Sequence, residues 1–103
     1  MGVITVVVVP SLQKEINRSD PKTKKLFEKQ RIFMEKYPYY NSLGRTKLQN
    51  VKDKYDVDLE EIRLDKQRRI VLVKRDETKV IWLKICSNDE LIRTNIIRIK
   101  DDY

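Results

Sequence analysis

The sequence IRLDKQRRIVLVKRDETKVIWLKICSNDELIR, residues 62–93, decides the predicted fold. After a short apolar run at its start, it contains two longer apolar runs, residues 70–74 and 80–85, separated by the turn-forming sequence Asp-Glu-Thr. Runs of this length that are rich in β-branched residues and divided by turn residues are typical of neighbouring antiparallel strands. We therefore predict a three-strand meander, with the basic pair Arg68-Arg69 at the start of its middle strand.

The residues that precede this stretch predict a strand and two helices. Residues 3–9 are dominated by β-branched residues that do not alternate with polar ones, which favours a strand buried on both faces. Ser11 is a candidate N-cap for a short helix, and Asp20 followed by Pro21 begins a second, longer helix. The residues of the second helix that its periodicity predicts to face the core are Leu26, Phe27, Phe33, Met34 and Tyr37. The chain is predicted to be a single α+β domain, residues 1–103.

The chain is strongly basic. Its 23 Lys and Arg residues and 16 Asp and Glu residues give a formal charge of +7. A surplus of this size predicts a polyanionic partner, which is a nucleic acid, an acidic protein or a membrane surface. General solvation of the surface, as in heat-adapted proteins, is the alternative explanation of the charge.

The cysteine and histidine content restricts the chemistry. Cys86 is the single cysteine, which favours a reducing compartment, and it ends an apolar run where we expect it to be buried. Because the chain has no histidine, a Cys-His nucleophile and a zinc site of the usual kind are excluded, and no cofactor or metal is predicted. The apolar N-terminal run is too short to cross a membrane, so a cytoplasmic protein is expected.

Aromatic and basic residues are mixed in the segment after the second helix. The basic residues are Arg45, Lys47, Lys52 and Lys54, and the aromatic residues among them are Tyr39, Tyr40 and Tyr55. Flat rings beside cations are what single-stranded nucleic acid requires. The alternative is a structural role, in which the tyrosines next to Pro38 cover the end of the helix against the sheet.

The order of these elements and three short motifs resemble the RelE/ParE superfamily of toxins from type II toxin–antitoxin systems. The first motif is Leu43-Gly44, which is similar to the Leu- and Gly-containing loop of that family. Arg63 near the end of one strand and Arg69 at the start of the next are similar to the paired pattern of the family. The third motif, Ser-Asn-Asp-Glu-Leu at residues 87–91, is similar to the closing segment of the family.

This resemblance implies a RelE-like fold, with one twisted sheet and the helices packed on one of its faces. It implies an endoribonuclease that inhibits translation by cleaving mRNA on the ribosome, through attack of a ribose 2′-OH on the adjacent phosphate. The implied partners are an acidic cognate antitoxin and mRNA, in a homodimer or a toxin–antitoxin heterotetramer, without a membrane. Ile96, Ile97 and Ile99 are candidate interface or core residues, and residues 96–100 are left undecided between helix and strand.

The resemblance also implies roles for individual residues. The reaction needs a base for the hydroxyl, a cation for the phosphorane and an acid for the leaving oxygen. Arg69 is implied to stabilise the phosphorane, because a guanidinium fork suits two non-bridging oxygens. The nuclease hypothesis survives if Arg69 lies on the same open face as Lys52 or Lys54, whereas only the fold prediction survives if Arg69 is held in a salt bridge away from any groove. The candidate catalytic residues are Arg69, Arg63, Lys52, Lys54 and Asp89. The candidate RNA-binding residues are Lys47, Arg45, Arg68, Asn88 and Arg93.

One departure from the family pattern keeps other functions open. Asn88 stands where many members have a histidine, and an amide cannot transfer a proton, so Asp89, Glu90 or a lysine of lowered pKa would have to do so. The alternatives are a non-catalytic, ParE-like inhibitor of DNA gyrase and a plain nucleic-acid-binding protein. The arginines can also simply pair with Glu60 or Glu61 across the meander.

Overall fold

The fold is α+β and consists of three α-helices, one short 3-10 helix and five strands in the described part of the chain. The structure, a computed structural model, describes residues 3–93, 99 and 101–103, with the backbone alone for residues 49, 50 and 91–93. In chain order the elements are β1 (Thr5–Val8), α1 (Pro10–Asn17), α2 (Pro21–Lys36), the 3-10 helix (Asn41–Leu43), β2 (Thr46–Lys52), β3 (Asp58–Arg63), β4 (Arg68–Asp76), β5 (Lys79–Ser87) and α3 (Asn88–Arg93).

The strands form one mixed sheet in the order β1-β5-β4-β3-β2. β1 is parallel to β5, and every other neighbouring pair is antiparallel. The meander therefore has four strands, and the predicted number of three is wrong. The missed strand, β2, has the polar sequence TKLQNVK, and its ladder with β3 is interrupted by a bulge between Lys47 and Lys52. Its extended form depends on pairing with β3, which a local apolar pattern does not reveal.

The core lies between the sheet and α2. Phe27 packs edge to face on Trp82, with the ring centroids 5.1 Å apart, and both side chains are buried. Met34 is also buried, whereas Leu26 and Phe33 are partly buried against the core. The prediction that Tyr37 faces the core is wrong, because α2 ends at Lys36 and the chain turns away.

The sequence predicted the N-terminal caps of two helices, and the structure confirms one of them. Asp20 caps α2, as predicted, by accepting a hydrogen bond from the Thr23 N–H at 3.3 Å, and Pro21 is the first helical residue. The predicted Ser11 cap is wrong, because Pro10 already begins α1 and no side chain caps that end. Pro fits this position because its fixed φ suits a helix and its missing N–H costs no hydrogen bond.

The first strand is less buried than the sequence predicts. Val6 is buried, but Thr5 is exposed and Val7 and Val8 are only partly covered. The prediction of burial on both faces is wrong because β1 is an edge strand that pairs with β5 alone. The undecided helix or strand at residues 96–100 falls, apart from position 99, outside the described residues.

Candidate functional site

One pocket collects most of the cationic side chains that lie near the turn between β3 and β4. Its volume is about 430 Å³, and we call it the basic pocket. It is lined by Leu26, Lys29, Gln30, Ser42, Arg63, Leu64, Asp65, Lys66 and Arg69. Four cations and one carboxylate in this lining leave a clear positive excess, which suits a phosphate or another anion.

Arg63 and Arg69 form the strand wall of the basic pocket. Their Cα atoms are partners in the antiparallel ladder between β3 and β4, so both side chains leave the sheet on the same face. Arg63 is exposed, and it has no ion pair with any residue that the structure describes. Glu60, its predicted alternative partner, is bound to Arg45 instead. Arg63 is therefore the more accessible of the two guanidinium groups.

The side chain of Arg63 packs closely against the backbone of Gly44. Gly44 has φ of 60°, in the left-handed region, and a Cβ built on it would lie 2.9 Å from Arg63 Nε. Only glycine combines this backbone conformation with so close an approach of a neighbouring side chain. The Leu43-Gly44 motif therefore lies directly against Arg63, while Leu43 itself is fully buried.

Arg69 is anchored by the backbone of the turn. Its Nη1 donates hydrogen bonds to the carbonyl oxygens of Asp65 at 2.9 Å and Arg68 at 3.1 Å. Glu61 Oε1 lies 4.0 Å from Arg69 Nε, and the Arg69 side chain is 15% exposed. Burial raises the pKa of Glu61, and the positive charge of Arg69 opposes that rise. These contacts fix the guanidinium at the wall of the pocket.

Arg68 makes structural hydrogen bonds with Asp65 and Thr23. Its Nε donates to Asp65 Oδ2 at 2.9 Å, and its Nη2 donates to Thr23 Oγ1 at 3.1 Å. Burial acts to raise the pKa of Asp65, but hydrogen bonds from Arg68 and from the Gln67 N–H outweigh it and hold that pKa below its usual value. Asp65 is thus a carboxylate that ties the β3–β4 turn to α2 through Arg68.

A second bond fixes α2 to the same turn. Gln30 is buried, and its Nε2 donates to the carbonyl oxygen of Arg63 at 2.6 Å. This bond satisfies a buried amide and holds the helix flank that carries Lys29 against the end of β3. This bond therefore joins the helix wall of the basic pocket to its strand wall.

The predicted lysines lie elsewhere. Lys52 Nζ is 3.6 Å from Asp56 Oδ1, and Lys54 Nζ donates to the carbonyl oxygen of Asp101 at 2.5 Å. Neither residue lines the basic pocket, so the pocket does not bring Arg69 together with Lys52 or Lys54. Lys47 pairs with Asp58 at 3.4 Å on the exposed side of the edge strand.

Arg45 is a buried structural cation. Its Nε donates to Glu60 Oε1 at 2.7 Å, its Nη2 donates to Glu60 Oε2 at 3.2 Å, and its side chain is 7% exposed. Its Nη1 also donates to the carbonyl oxygen of Pro38 at 3.2 Å. With its charge paired in this way, Arg45 is poorly available for the predicted contact with RNA.

The third motif, residues 87–91, lies beside the turn between β3 and β4. The N–H of Asn88 donates to the carbonyl oxygen of Gln67 at 2.8 Å, and Ser87 Oγ caps α3 by accepting from the Glu90 N–H at 3.0 Å. Asn88 does not line the basic pocket, and Asp89 is exposed in the first turn of α3. The side chain of Arg93 is outside the described part of the chain.

The structure therefore brings together Arg63 and Arg69 from the predicted set and adds groups that the sequence reasoning missed. The added polar residues are Lys29, Gln30, Ser42, Asp65 and Lys66. Asp65 and Lys66 lie within the quoted stretch, so their closeness to the arginines was open to inference. Nothing in the local pattern distinguishes Lys29 from the other lysines of α2, because only the docking of the helix selects it.

Neither a protein-family model, nor a curated protein, nor a solved structure matches this chain. Among the described residues, no helix combines the length and the apolar character needed to span a membrane. The same residues contain no group of three or more Cys, Asp or Glu side chains arranged to hold a metal ion.

Proposed function

We propose that the basic pocket binds the phosphodiester backbone of RNA and that the chain is a RelE-like toxin, a metal-independent endoribonuclease. The observation that carries this proposal is the cross-strand pairing of Arg63 with Arg69 at the wall of one pocket. Two guanidinium groups on neighbouring strands supply the charge and the forked donors that a phosphorane needs. The formal charge of +7 adds long-range attraction for a polyanion.

The fold supports the same proposal. The helices α1 and α2 follow β1 in the chain. β1 is an edge strand of the sheet and is parallel to β5. Arg63 ends β3 and Arg69 is the second residue of β4, and the resemblance implies arginines near these two strand ends. An acidic antitoxin that covers the basic pocket would neutralise its charge and exclude RNA.

Within this proposal, different residues of the basic pocket bind the phosphate, stabilise its charge and transfer protons. Arg63, exposed and without an ion pair among the described residues, contacts the scissile phosphate, and Arg69 stabilises the charge that develops on it. Lys29 and Lys66 are the lining amines that can deliver a proton to the leaving 5′ oxygen. Asp65 is the lining carboxylate that can accept the proton of the attacking 2′-OH, and it is a weak acceptor because Arg68 holds it as a carboxylate of lowered pKa.

The decisive experiment is cleavage of a defined RNA by the purified chain, with and without translating ribosomes. Attack by the 2′-OH leaves a 2′,3′-cyclic phosphate, and a substrate with a 2′-deoxy sugar at the cleaved position must resist. Arg69→Gln is expected to lower the cleavage rate about a hundredfold, as loss of one preorganised donor to the transition state does. Arg75→Gln is the matched control, because Arg75 is an exposed arginine of β4 that does not line the basic pocket. Intact RNA under both conditions contradicts the proposal.

One observation favours a second candidate, the non-catalytic ParE-like inhibitor of DNA gyrase. Asp65, the carboxylate in the lining of the basic pocket, is occupied by Arg68, so the pocket offers a poor general base. A supercoiling assay separates the candidates. Inhibition of gyrase without RNA cleavage supports the second candidate, and RNA cleavage without gyrase inhibition supports the first.

A further inference from the structure

Three exposed tyrosines lie where α2 ends, and we call them the tyrosine patch: Tyr37, Tyr39 and Tyr40. Their exposed fractions are 59%, 71% and 50%. They surround a depression of about 410 Å³, whose lining includes Ile4 and Pro38. A purely structural role, in which the tyrosines only cover the helix end, would not require so much of Tyr39 and Tyr40 to stay exposed. Large aromatic side chains gathered at a surface mark a binding site.

The rings of Tyr39 and Tyr40 each pack on another side chain of the protein. Tyr40 stacks on Phe33, with centroids 5.3 Å apart and planes only 7° from parallel. Tyr39 has the guanidinium carbon of Arg45 4.6 Å from its ring centroid, and Arg45 is fixed by Glu60. Tyr37 also lies near Tyr40, with ring centroids 6.3 Å apart and planes tilted by 49°. Each ring therefore packs on the protein on one side, and at least half of each tyrosine remains exposed. Rings ordered in this way lose little conformational entropy when a flat ligand stacks on them.

The tyrosine patch and the basic pocket share two structural elements. On α2, Gln30 lines the basic pocket, and Phe33, which carries the stacked Tyr40, follows it by one helical turn. In the loop after α2, Ser42 lines the basic pocket two residues beyond Tyr40, and the Leu43 N–H donates to the Tyr40 carbonyl oxygen at 3.0 Å. The two surfaces are therefore close along the chain, at the end of α2 and in the loop that follows it, which is what one extended ligand contacting both would need.

The charges around the tyrosine patch are compatible with a polyanion. Lys36 lines the same depression, and its side chain is exposed. Glu77 is the one acidic residue in that lining, and its carboxylate lies 3.1 Å from Lys74 Nζ, which offsets its charge. An acidic protein segment would find cations here too, but it would not need three exposed flat rings.

We propose that the tyrosine patch stacks the bases of a single-stranded RNA whose phosphates occupy the basic pocket. This inference rests on the proposed function and adds to it the class of substrate, because a duplex cannot offer free base faces. Stacking on aromatic side chains tolerates any base, so the patch contributes affinity for unpaired RNA rather than for a sequence.

The test compares two oligomers of equal length and charge, an oligouridine and its abasic ribose-phosphate counterpart, in a binding titration at fixed salt. The wild-type chain is expected to bind the base-bearing oligomer at least tenfold more tightly. Tyr39→Ala combined with Tyr40→Ala is expected to remove that preference while leaving the abasic affinity unchanged, because the rings that stack the bases are lost. Tyr39→Phe with Tyr40→Phe keeps both rings and the preference. Tyr55→Ala, at an exposed tyrosine on the turn between β2 and β3, is the matched control.

The outcomes separate this inference from the function on which it rests. If the alanine variant keeps the wild-type preference for bases, the inference is overturned. The tyrosine patch would then be a candidate surface for a protein partner. If the phenylalanine variant loses the preference as well, hydroxyl groups rather than stacked rings carry it, and the inference again fails. If neither oligomer binds and Arg63→Gln changes nothing, the RNA-binding function fails first. Circular dichroism confirms that each variant is folded, which is expected because the substituted side chains are exposed.

Discussion

Arg63 and Arg69 lie directly opposite each other in the ladder between β3 and β4. Two like charges in this relationship repel, and such pairs destabilise a sheet. A protein under selection for stability alone would replace one of them, so their juxtaposition is the feature of the sheet that most needs a function.

Arg63→Gln is expected to stabilise the fold and weaken RNA binding at the same time. Removing one of the facing cations should raise the free energy of unfolding by about 0.5 kcal/mol, within the range for cross-strand charge pairs. The loss of one phosphate contact should lower the slope of log K against log salt by about 1. Urea unfolding and a salt titration of RNA binding measure the two effects. A destabilised variant with unchanged binding would make Arg63 a structural residue.

Gly44→Ala and Gly44→Asn are expected to separate stability from binding. Alanine at φ of 60° costs about 1 kcal/mol or more, and asparagine costs less because it tolerates the left-handed region. Both side chains, however, bring a Cβ to within 2.9 Å of the present position of Arg63 Nε and must displace that side chain. Both variants should therefore weaken RNA binding to a similar degree while differing in thermal midpoint. Equal binding by wild type and both variants would mean that the position of Arg63 is irrelevant.

The ion pair of Arg45 and Glu60 is expected to matter far more than an exposed pair. Glu60→Ala leaves the largely buried guanidinium of Arg45 without its carboxylate and should cost about 3 kcal/mol. Asp58→Ala is the matched control on the same strand, because it breaks the exposed pair with Lys47 and should cost less than about 1 kcal/mol. Urea unfolding of both variants gives the comparison. Since Arg45 also supports Tyr39, Glu60→Ala should reduce the preference for base-bearing RNA as well.

Cys86 is expected to make the fold less stable in alkali. Burial, reinforced by the charge of Glu90, raises the pKa of Cys86 from 9.0 to about 11. Between these values the unfolded chain releases the thiol proton and the folded chain retains it, so the free energy of unfolding falls as pH rises from 9 to 11. The loss should approach about 2 kcal/mol.

Cys86→Ala isolates that contribution. The variant is less stable than wild type at pH 8 because it leaves a cavity, but the difference between the two proteins should shrink as pH rises towards 11. Burial also raises the pKa of Tyr103, which acts in the same direction in both proteins and cancels in the comparison. A difference that stays constant with pH would show that the thiol titrates normally.

The strands β4 and β5, the Asp20 cap and the buried Cys86 were all open to prediction from the sequence. Each depends on residues that are adjacent in the chain: continuous β-branched runs, a carboxylate before a proline, and a small apolar residue at the end of a strand. Tyr37 was misjudged because periodicity cannot say at which residue a helix ends. β2 was missed because its pattern is weak and its partner strand provides its hydrogen bonds.

The candidate site was predictable only where it coincides with the turn between two strands. Arg63 and Arg69 are close because a short turn joins their strands, and this much follows from the sequence. Lys52 and Lys54 carry the same charge but are engaged by Asp56 and by the carbonyl oxygen of Asp101. Residue type therefore did not decide which cations share the pocket.

By itself, the sequence determined the α+β class, the central strands, the helix start at Asp20 and the pairing of two arginines across a turn. These features depend on local hydrogen bonding, β-branched packing and chain reversal, which act over a few residues. The tertiary structure alone decided that Lys29 joins those arginines and that the guanidinium of Arg45 lies over the ring of Tyr39. The physical reason is that these contacts come from the docking of α2 on the sheet, held by the bond from Gln30 to the Arg63 carbonyl oxygen. Residues far apart in the chain meet only when that docking occurs.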